Sequence, residues 1–337
     1  MKCPIFEINE EIPLIGCIAF GIIDRGTNLL QIRPISTCPL SCIFCSTDAG
    51  PKSRIRQSEY IVPLDYIIEE FKRIVEFKGA YRIEAHIDTV GDPITYPKIV
   101  DLVHELSQVK GVETISLQTH GSILDEKMLD RLSAAGLTRI NFSIDSLDAD
   151  LAKKLADTEW YDITKSMKLM RYITSETSID LLVAPVWIPG LNDDDIPKII
   201  GFALKIGAGK RFPPLGIQKY IIHKHGRKVK GVKPHSWREF YEKLKRMEKK
   251  FNVKLVLKPS DFGIHPRRII PVPYEKYSMI KVRVVGPGWL RGEKLAVTSK
   301  GDRSVTLINA DWIPVGAKVK AKIIRNKHNI LIAYPIT

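Results

Sequence analysis

The sequence predicts an α/β protein: a partial, TIM-like (β/α)6 barrel followed by a small five-stranded β-barrel of the oligonucleotide-binding (OB) type. Three observations predict it. Between residues 29 and 260, strand-like and helix-like stretches alternate about six times, the pattern of parallel βα units with right-handed crossovers. Eight units would complete a barrel of about 250 residues, and six leave it open. Pro271-Val272-Pro273 then breaks the chain as a linker does. Beyond it, five short strand-like runs fall within about 60 residues, the density of a small closed barrel. The boundaries read as a lead-in over 1–28, the partial barrel over 29–270 and the small barrel over 274–337.

In the lead-in, Ile15–Ile23 is apolar and Asp24-Arg25-Gly26-Thr27-Asn28 is a turn. Leu29–Arg33 is the first strand. Pro63–Lys78 places Leu64, Ile67, Ile68, Phe71, Ile74 and Val75 at the spacing of an amphipathic helix, and Gly79 ends it. Arg82–Val90 is the second strand and stops at Gly91-Asp92-Pro93. Lys98–Val109 is helical, Thr114–Gln118 extended, and Thr119-His120-Gly121 a turn. Asp125–Ala135 is a helix closed by Gly136, and Arg139–Ile144 is a strand running into Asp145-Ser146-Leu147-Asp148. Tyr161–Ser175 is helical, Ile179–Trp187 is a strand broken at Pro189-Gly190, Asp195–Ile206 is a helix and Leu215–Ile222 the sixth strand. A basic loop and the charged helix Trp237–Phe251 follow, with Lys254–Lys258 as a closing strand. The tail strands are Met279–Val285, Lys294–Val297, Ser304–Ile308, Lys318–Ile324 and Ile330–Ala333, parted by Gly-, Pro- and Asn-rich turns.

No apolar run approaches the ~20 residues of a membrane helix. The N-terminus lacks the layout of a signal peptide. A cytoplasmic protein with reduced thiols and no membrane partner is expected. Lys and Arg number 52 against 38 Asp and Glu, a formal charge of +14. Up to Gly201 acids outnumber bases; beyond it, bases run far ahead, through Lys224, Arg227, Lys228, Lys230 and Lys233 and again through Lys243, Lys245, Arg246, Lys249 and Lys250. From Glu275 to Lys327 there are twelve bases against four acids, a net +8. A Lys-rich solvated surface is the bland explanation; the one-sided excess favours a face that binds a polyanion.

Cys38-Pro-Leu-Ser-Cys42-Ile-Phe-Cys45 carries three of the chain's five cysteines in eight positions, in a loop after the first strand. Thiolates are the soft ligands of iron–sulfur clusters, and three leave one iron of a four-iron cluster open. The rivals are structural cysteines, a disulfide to Cys3 or Cys17, and a zinc site lacking a nearby fourth ligand. Cys3 and Cys17 themselves read as buried or idle thiols.

The cysteine stretch, with Phe44 before its third cysteine, resembles the signature of the radical S-adenosylmethionine (SAM) superfamily. The resemblance implies one 4Fe–4S cluster on Cys38, Cys42 and Cys45, with the open iron chelating the amino and carboxylate groups of SAM. Reduction by an electron donor would then release methionine and a 5′-deoxyadenosyl radical. Strand ends are where barrel chemistry gathers. Val90-Gly91-Asp92-Pro93 resembles the family's glycine-acidic motif, which implies that Gly91 and Asp92 receive the SAM amino group, although Gly-Asp-Pro also makes a plain turn. Gln118-Thr119-His120-Gly121 resembles its Thr-Asn-Gly segment, with His120 in place of the asparagine and open to a plain capping role; Gln118 is the cofactor contact the resemblance implies. Ser143 and Asp145 alternate onto one strand face, implied contacts to the carboxylate and ribose; an N-cap role for Asp145 stays open. Val186-Trp187-Ile188-Pro189-Gly190 resembles the adenine-packing segment, placing Ile188 there, but with Val186 where a glycine is expected. Gln218 and Tyr220 share a face of the sixth strand, and Gln218 is expected to face the mouth.

The run Val315–Ile324, with Asn329-Ile330-Leu331-Ile332-Ala333 after it, resembles the TRAM domain, a small barrel that binds RNA, usually tRNA. Together these imply a radical SAM enzyme that modifies a nucleotide in RNA, with tRNA favoured over rRNA. Methylthiolation is disfavoured because only Cys3 and Cys17 precede the loop, and methylation through a methylated cysteine because no cysteine follows Cys45. The alternatives are a radical SAM enzyme acting on a protein, peptide or small metabolite, or a nucleic-acid-binding protein whose cluster senses redox state.

Overall fold

The structure is a computed structural model describing residues 3–336. At its centre is a six-stranded sheet in the order Gly21–Asp24, Leu29–Arg33, Ile83–Ile87, Val112–Thr119, Arg139–Phe142, Asp180–Val183. The last five run parallel, while Gly21–Asp24 pairs antiparallel with Leu29–Arg33 and covers that edge. Two further pieces extend the curve: Val186–Trp187 pairs parallel with Gln218–Lys219, and Leu215 bridges Val183. The result is the expected partial, TIM-like barrel, with its fifth strand in two parts. Pro185 interrupts that strand because it has no N–H to give to a ladder.

The helices Leu64–Phe77, Ile99–Ser107, Glu126–Ala134, Ile163–Glu176 and Asp195–Lys205 lie in the crossovers, and Trp237–Phe251 follows the last strand. On the first, the six apolar residues named above are its buried face. Ser236 and Glu239 close a capping box at the start of Trp237–Phe251. One further helix, Ala149–Ala156, was not expected; Asp148 caps it by accepting the Leu151 N–H at 2.8 Å. Lys254–Lys258 is not a strand. The N–H groups of Leu255 and Val256 donate instead to the Glu248 carboxylate, at 2.7 and 2.8 Å.

The C-terminal segment is a closed five-stranded barrel in the order Met279–Pro287, Lys294–Thr298, Ser304–Leu307, Ile332–Ile336, Lys318–Arg325, as the OB-like expectation requires. Ile280, Val282, Val284, Val305, Leu307 and Ile323 fill it. It is not a loosely tethered appendage. Trp289, Leu290, Leu295 and Val297 belong to the main core. The lead-in is wedged between the two bodies: Ile5–Glu7 pairs with Glu59–Ile61, and Ser304 and Leu331 donate their N–H groups to Ile15 and Gly16, both at 2.9 Å. A Cβ on Gly16 would lie 1.9 Å from the Ser304 carbonyl oxygen, so only glycine fits this contact. Among the described residues, no helix is long and apolar enough to cross a membrane.

Candidate active site

A cavity of about 410 Å³ opens at the C-terminal ends of the parallel strands, and Cys38, Cys42 and Cys45 stand in its wall. All five cysteines are free. Burial pushes the Cys38 and Cys42 thiols up. For Cys42, the charges of Cys38, Asp145 and Cys45 add to that, and Arg227 opposes it.

Two arginines fix the cysteine loop from opposite partners. Arg56, fully buried, donates to the carbonyls of Ser36, Thr47 and Val90, to the Thr47 hydroxyl and to the Glu59 carboxylate. Its guanidinium also faces the Trp289 ring of the small barrel, 4.8 Å from the centroid. Arg227 comes from the basic loop after the sixth strand. Its side chain donates to Cys42 O at 3.1 Å and Ala49 O at 2.7 Å and pairs with Asp48 at 2.7 Å, while its own N–H donates to Cys45 O at 2.8 Å. Neither arginine was singled out for this role from sequence. The contacts join residues up to 185 positions apart, and no local spacing signals them.

The strand ends supply the rest of the lining. Gly91 is pressed against the first strand end: a Cβ there would meet Thr37 O at 2.1 Å. Asp92 accepts from Ile94 N–H at 3.2 Å, the Thr119 hydroxyl at 2.8 Å and His120 N–H at 3.0 Å, tying the second strand end to the third. Gln118 donates to the Ser143 hydroxyl at 2.6 Å, tying the third to the fourth. Asp145 accepts the Val186 N–H at 2.7 Å, tying the fourth to the fifth. Burial pushes its carboxyl up to about 6, against the opposing pull of His120 and the Val186 hydrogen bond. Phe44, Gly91, Asp92, Gln118, Ser143, Asp145 and Gln218 all line the cavity, as do His120 and Tyr220. Ile188 does not. It is wholly buried, and its N–H donates to the Asn192 side chain at 2.7 Å, which closes the turn after the fifth strand. The segment's lining residue is Val186, where the resemblance led one to expect glycine.

Beneath the mouth the barrel interior is polar. Arg139 pairs with Glu84 at 2.5 Å, Ser116 donates to Glu84 at 2.7 Å, and His86 Nδ1 lies 2.7 Å from the Ser116 hydroxyl. Burial depresses the His86 pKa, which favours the neutral imidazole. Parallel-strand alternation aims these residues inward, a consequence of register that sequence reading passed over.

The family profile described as "Radical SAM superfamily" matches residues 32–203. The chain belongs to the radical SAM superfamily. An uncharacterized protein of Methanocaldococcus jannaschii is 40% identical over 97% of this chain and 79% of its own length. A GTP 3′,8-cyclase of Desulforamulus reducens is 31% identical, over 56% of this chain and 55% of that enzyme, so the match spans about half of each. Among solved structures, Streptococcus suis SuiB bound to its precursor peptide SuiA superposes with a TM-score of 0.50 at 15% identity. The match covers 69% of this chain and 48% of that one, a likeness of fold.

The superfamily's cofactors are a 4Fe–4S cluster and SAM. The residues present fit them. Three soft donors share one cavity wall, and burial with repulsion from neighbouring charges raises the Cys38 and Cys42 thiols when no cation is present. A cationic iron centre reverses that balance. Among the described residues, no three His, Cys, Asp or Glu side chains converge to hold a single metal ion, whereas cluster ligands bind different irons.

Proposed function

We propose that this chain modifies a nucleotide in RNA, with tRNA the favoured class, at the cavity above the polar barrel interior. In this reading Cys38, Cys42 and Cys45 hold the cluster, with Phe44, Gly91, Asp92, Gln118, Ser143, Asp145 and Gln218 arranged around SAM. The cofactors, when bound and reduced by an external electron donor in the cytoplasm, supply a 5′-deoxyadenosyl radical. The protein's part is positional. Asp92, Gln118 and Asp145 lock successive strand ends together, and Glu84, His86 and Ser116 offer hydrogen-bonding groups to a polar ring.

The observation that carries the RNA reading lies on the small barrel, read here as TRAM-type. Lys281 stands directly opposite Lys320 and Arg283 opposite Lys318, on the outward face of the paired strands, with Lys322 next in line. Like charges directly opposite destabilise a sheet. An anionic polymer laid along them offsets that repulsion, and Arg283 alone has an acidic neighbour, Glu11 at 3.3 Å. Tyr277, 60% exposed between Lys276 and Lys322, adds a face on which a base can stack.

Deleting the barrel would strip Trp289 and Leu290 from the main core, so substitution tests the reading better. Full-length protein is expected to bind tRNA with an affinity that falls steeply with salt. Lys281→Gln/Lys320→Gln/Lys322→Gln should weaken that binding and flatten the salt slope. Salt-independent binding, or a variant that binds like the wild type, would contradict it.

The relatives named GTP 3′,8-cyclase favour a second reading, a free purine nucleotide as substrate. 5′-Deoxyadenosine formation stimulated by GTP and not by tRNA would establish it.

A further inference from the structure

Outside the barrel mouth, a second cavity of about 470 Å³ lies between the fifth strand end and the helix Trp237–Phe251. Lys243, Arg246 and Lys250 reach it from positions i, i+3 and i+7, one face of that helix. The helix's ion pair among the described residues is Arg238–Glu242, so none of these three cations is neutralised by a carboxylate. The single acid in the lining, Asp193, is already engaged by Trp187 Nε1 at 2.7 Å and by the Gly190 N–H. His235 Nε2, in the same wall, is buried without a hydrogen-bond partner. The cavity is thus cationic, with a polar atom in its wall still lacking a partner.

Aromatic groups connect it to the mouth. Lys219 lines the mouth cavity, pairs in register with Trp187, and sets its ammonium 5.0 Å from the Trp237 ring centroid. Trp237 stacks on Tyr241, with centroids 5.8 Å apart and planes 24° apart, and both are exposed, at 54% and 41%. A Lys-rich helix is ordinarily a solvated face. Two exposed stacked aromatics at the start of the helix, on the flank opposite the cations gathered at the cavity, give instead both parts of what holds single-stranded nucleic acid, rings for bases and cations for phosphates.

We infer that this groove and the adjoining start of the helix form a second RNA-binding site, separate from the small barrel: Lys243, Arg246 and Lys250 hold backbone phosphates of an unpaired stretch, which crosses the start of Trp237–Phe251 so that a base stacks on Trp237–Tyr241 and the strand passes Lys219 into the mouth. The inference rests on the RNA reading above.

The test is fluorescence anisotropy of a labelled single-stranded RNA of about 12 nucleotides, within the usual site sizes, across a salt series with full-length protein. Lys243→Gln/Arg246→Gln/Lys250→Gln is expected to lower affinity at least tenfold and reduce the salt slope by about 2, three contacts at ~0.7 each. Trp237→Leu is expected to lower it about fivefold or more with the slope unchanged, as loss of one stacked base does. Circular dichroism confirms that each variant is folded. Wild-type affinity and slope in both variants, with the Lys281/Lys320/Lys322 variant still impaired, would overturn the groove alone. A wild-type protein that binds no RNA at any salt would overturn the RNA reading and the groove with it.

Discussion

Arg56 faces the Trp289 ring at 4.8 Å and holds the Glu59 carboxylate at 2.9 Å, and it is fully buried while doing both. One side chain thereby joins the small barrel, the lead-in's partner strand and the loop that carries Cys45. The C-terminal barrel is part of what shapes the cysteine loop.

Substituting this arginine should show that dependence. Arg56→Ala leaves Glu59 as an uncompensated buried charge, a loss of about 3–5 kcal/mol. Chemical denaturation measures the loss, and iron content after anaerobic reconstitution should fall with it. Trp289→Ala, which removes the ring and its core packing, should cost a similar ~3–5 kcal/mol. A variant of normal stability and iron content would show that the contact is incidental.

Gly91 admits no side chain where it meets the first strand end. Gly91→Ala would set a methyl group 2.1 Å from Thr37 O, a backbone atom that cannot swing aside. The expected outcome is a displaced cysteine strand, seen as a lower melting temperature and poor retention of iron. Unchanged values for both would contradict the close packing described here.

Arg227 brings positive charge to the cysteine loop, and its side chain holds the Cys42 and Ala49 carbonyls and the Asp48 carboxylate. Arg227→Gln should make a cluster bound there harder to reduce, because a nearby cation favours the added electron. A potentiometric titration followed by electron paramagnetic resonance should show the midpoint shifted negative, on the order of tens of mV. Arg227→Lys should recover part of the shift and little of the loop's rigidity. A shift in the positive direction would count against the electrostatic role.

Glu293 gives a pH dependence. Burial pushes its carboxyl up to about 7 from an ordinary value near 4.5, against the Leu290 N–H that it accepts. The folded state therefore favours the protonated form. Its contribution to stability is fully present below about pH 4.5, is lost as pH rises to about 7, and is level above that. Glu293→Gln, which keeps an acceptor for Leu290, should raise the melting temperature at pH 8 and leave it nearly unchanged at pH 4. Equal effects at both pH values would show that the charge is not what matters.

Much of this architecture is written in local sequence. Apolar spacing from Leu64 to Val75, Ser236 with Glu239, and turn residues between the tail strands each report nearby geometry. Ala149–Ala156 was also legible in principle, through Asp148 as a cap, but its eight residues are short and follow a turn. Other features depend on partners distant in sequence. The fifth strand splits at Pro185, yet the chain still passes on to pair Trp187 with Lys219. Lys254–Lys258 looks extended by composition, but Glu248 takes its N–H groups. At the site, the cysteines and strand-end residues announce themselves by spacing and position. Ile188 carries the right residue type and is turned into the core, because Asn192 holds its N–H.

Nucleoside mass analysis tests whether the chemistry at Cys38–Cys45 is directed at RNA. Bulk tRNA and rRNA from cells lacking this gene would be digested and compared with RNA from the parent strain and from strains complemented with a wild-type or a Cys42→Ala copy. At least one modified nucleoside is expected to be lost from the tRNA fraction of the deletion strain, to be restored by the wild-type copy and to stay absent with the Cys42→Ala copy. Identical nucleoside profiles in all strains would contradict the RNA reading.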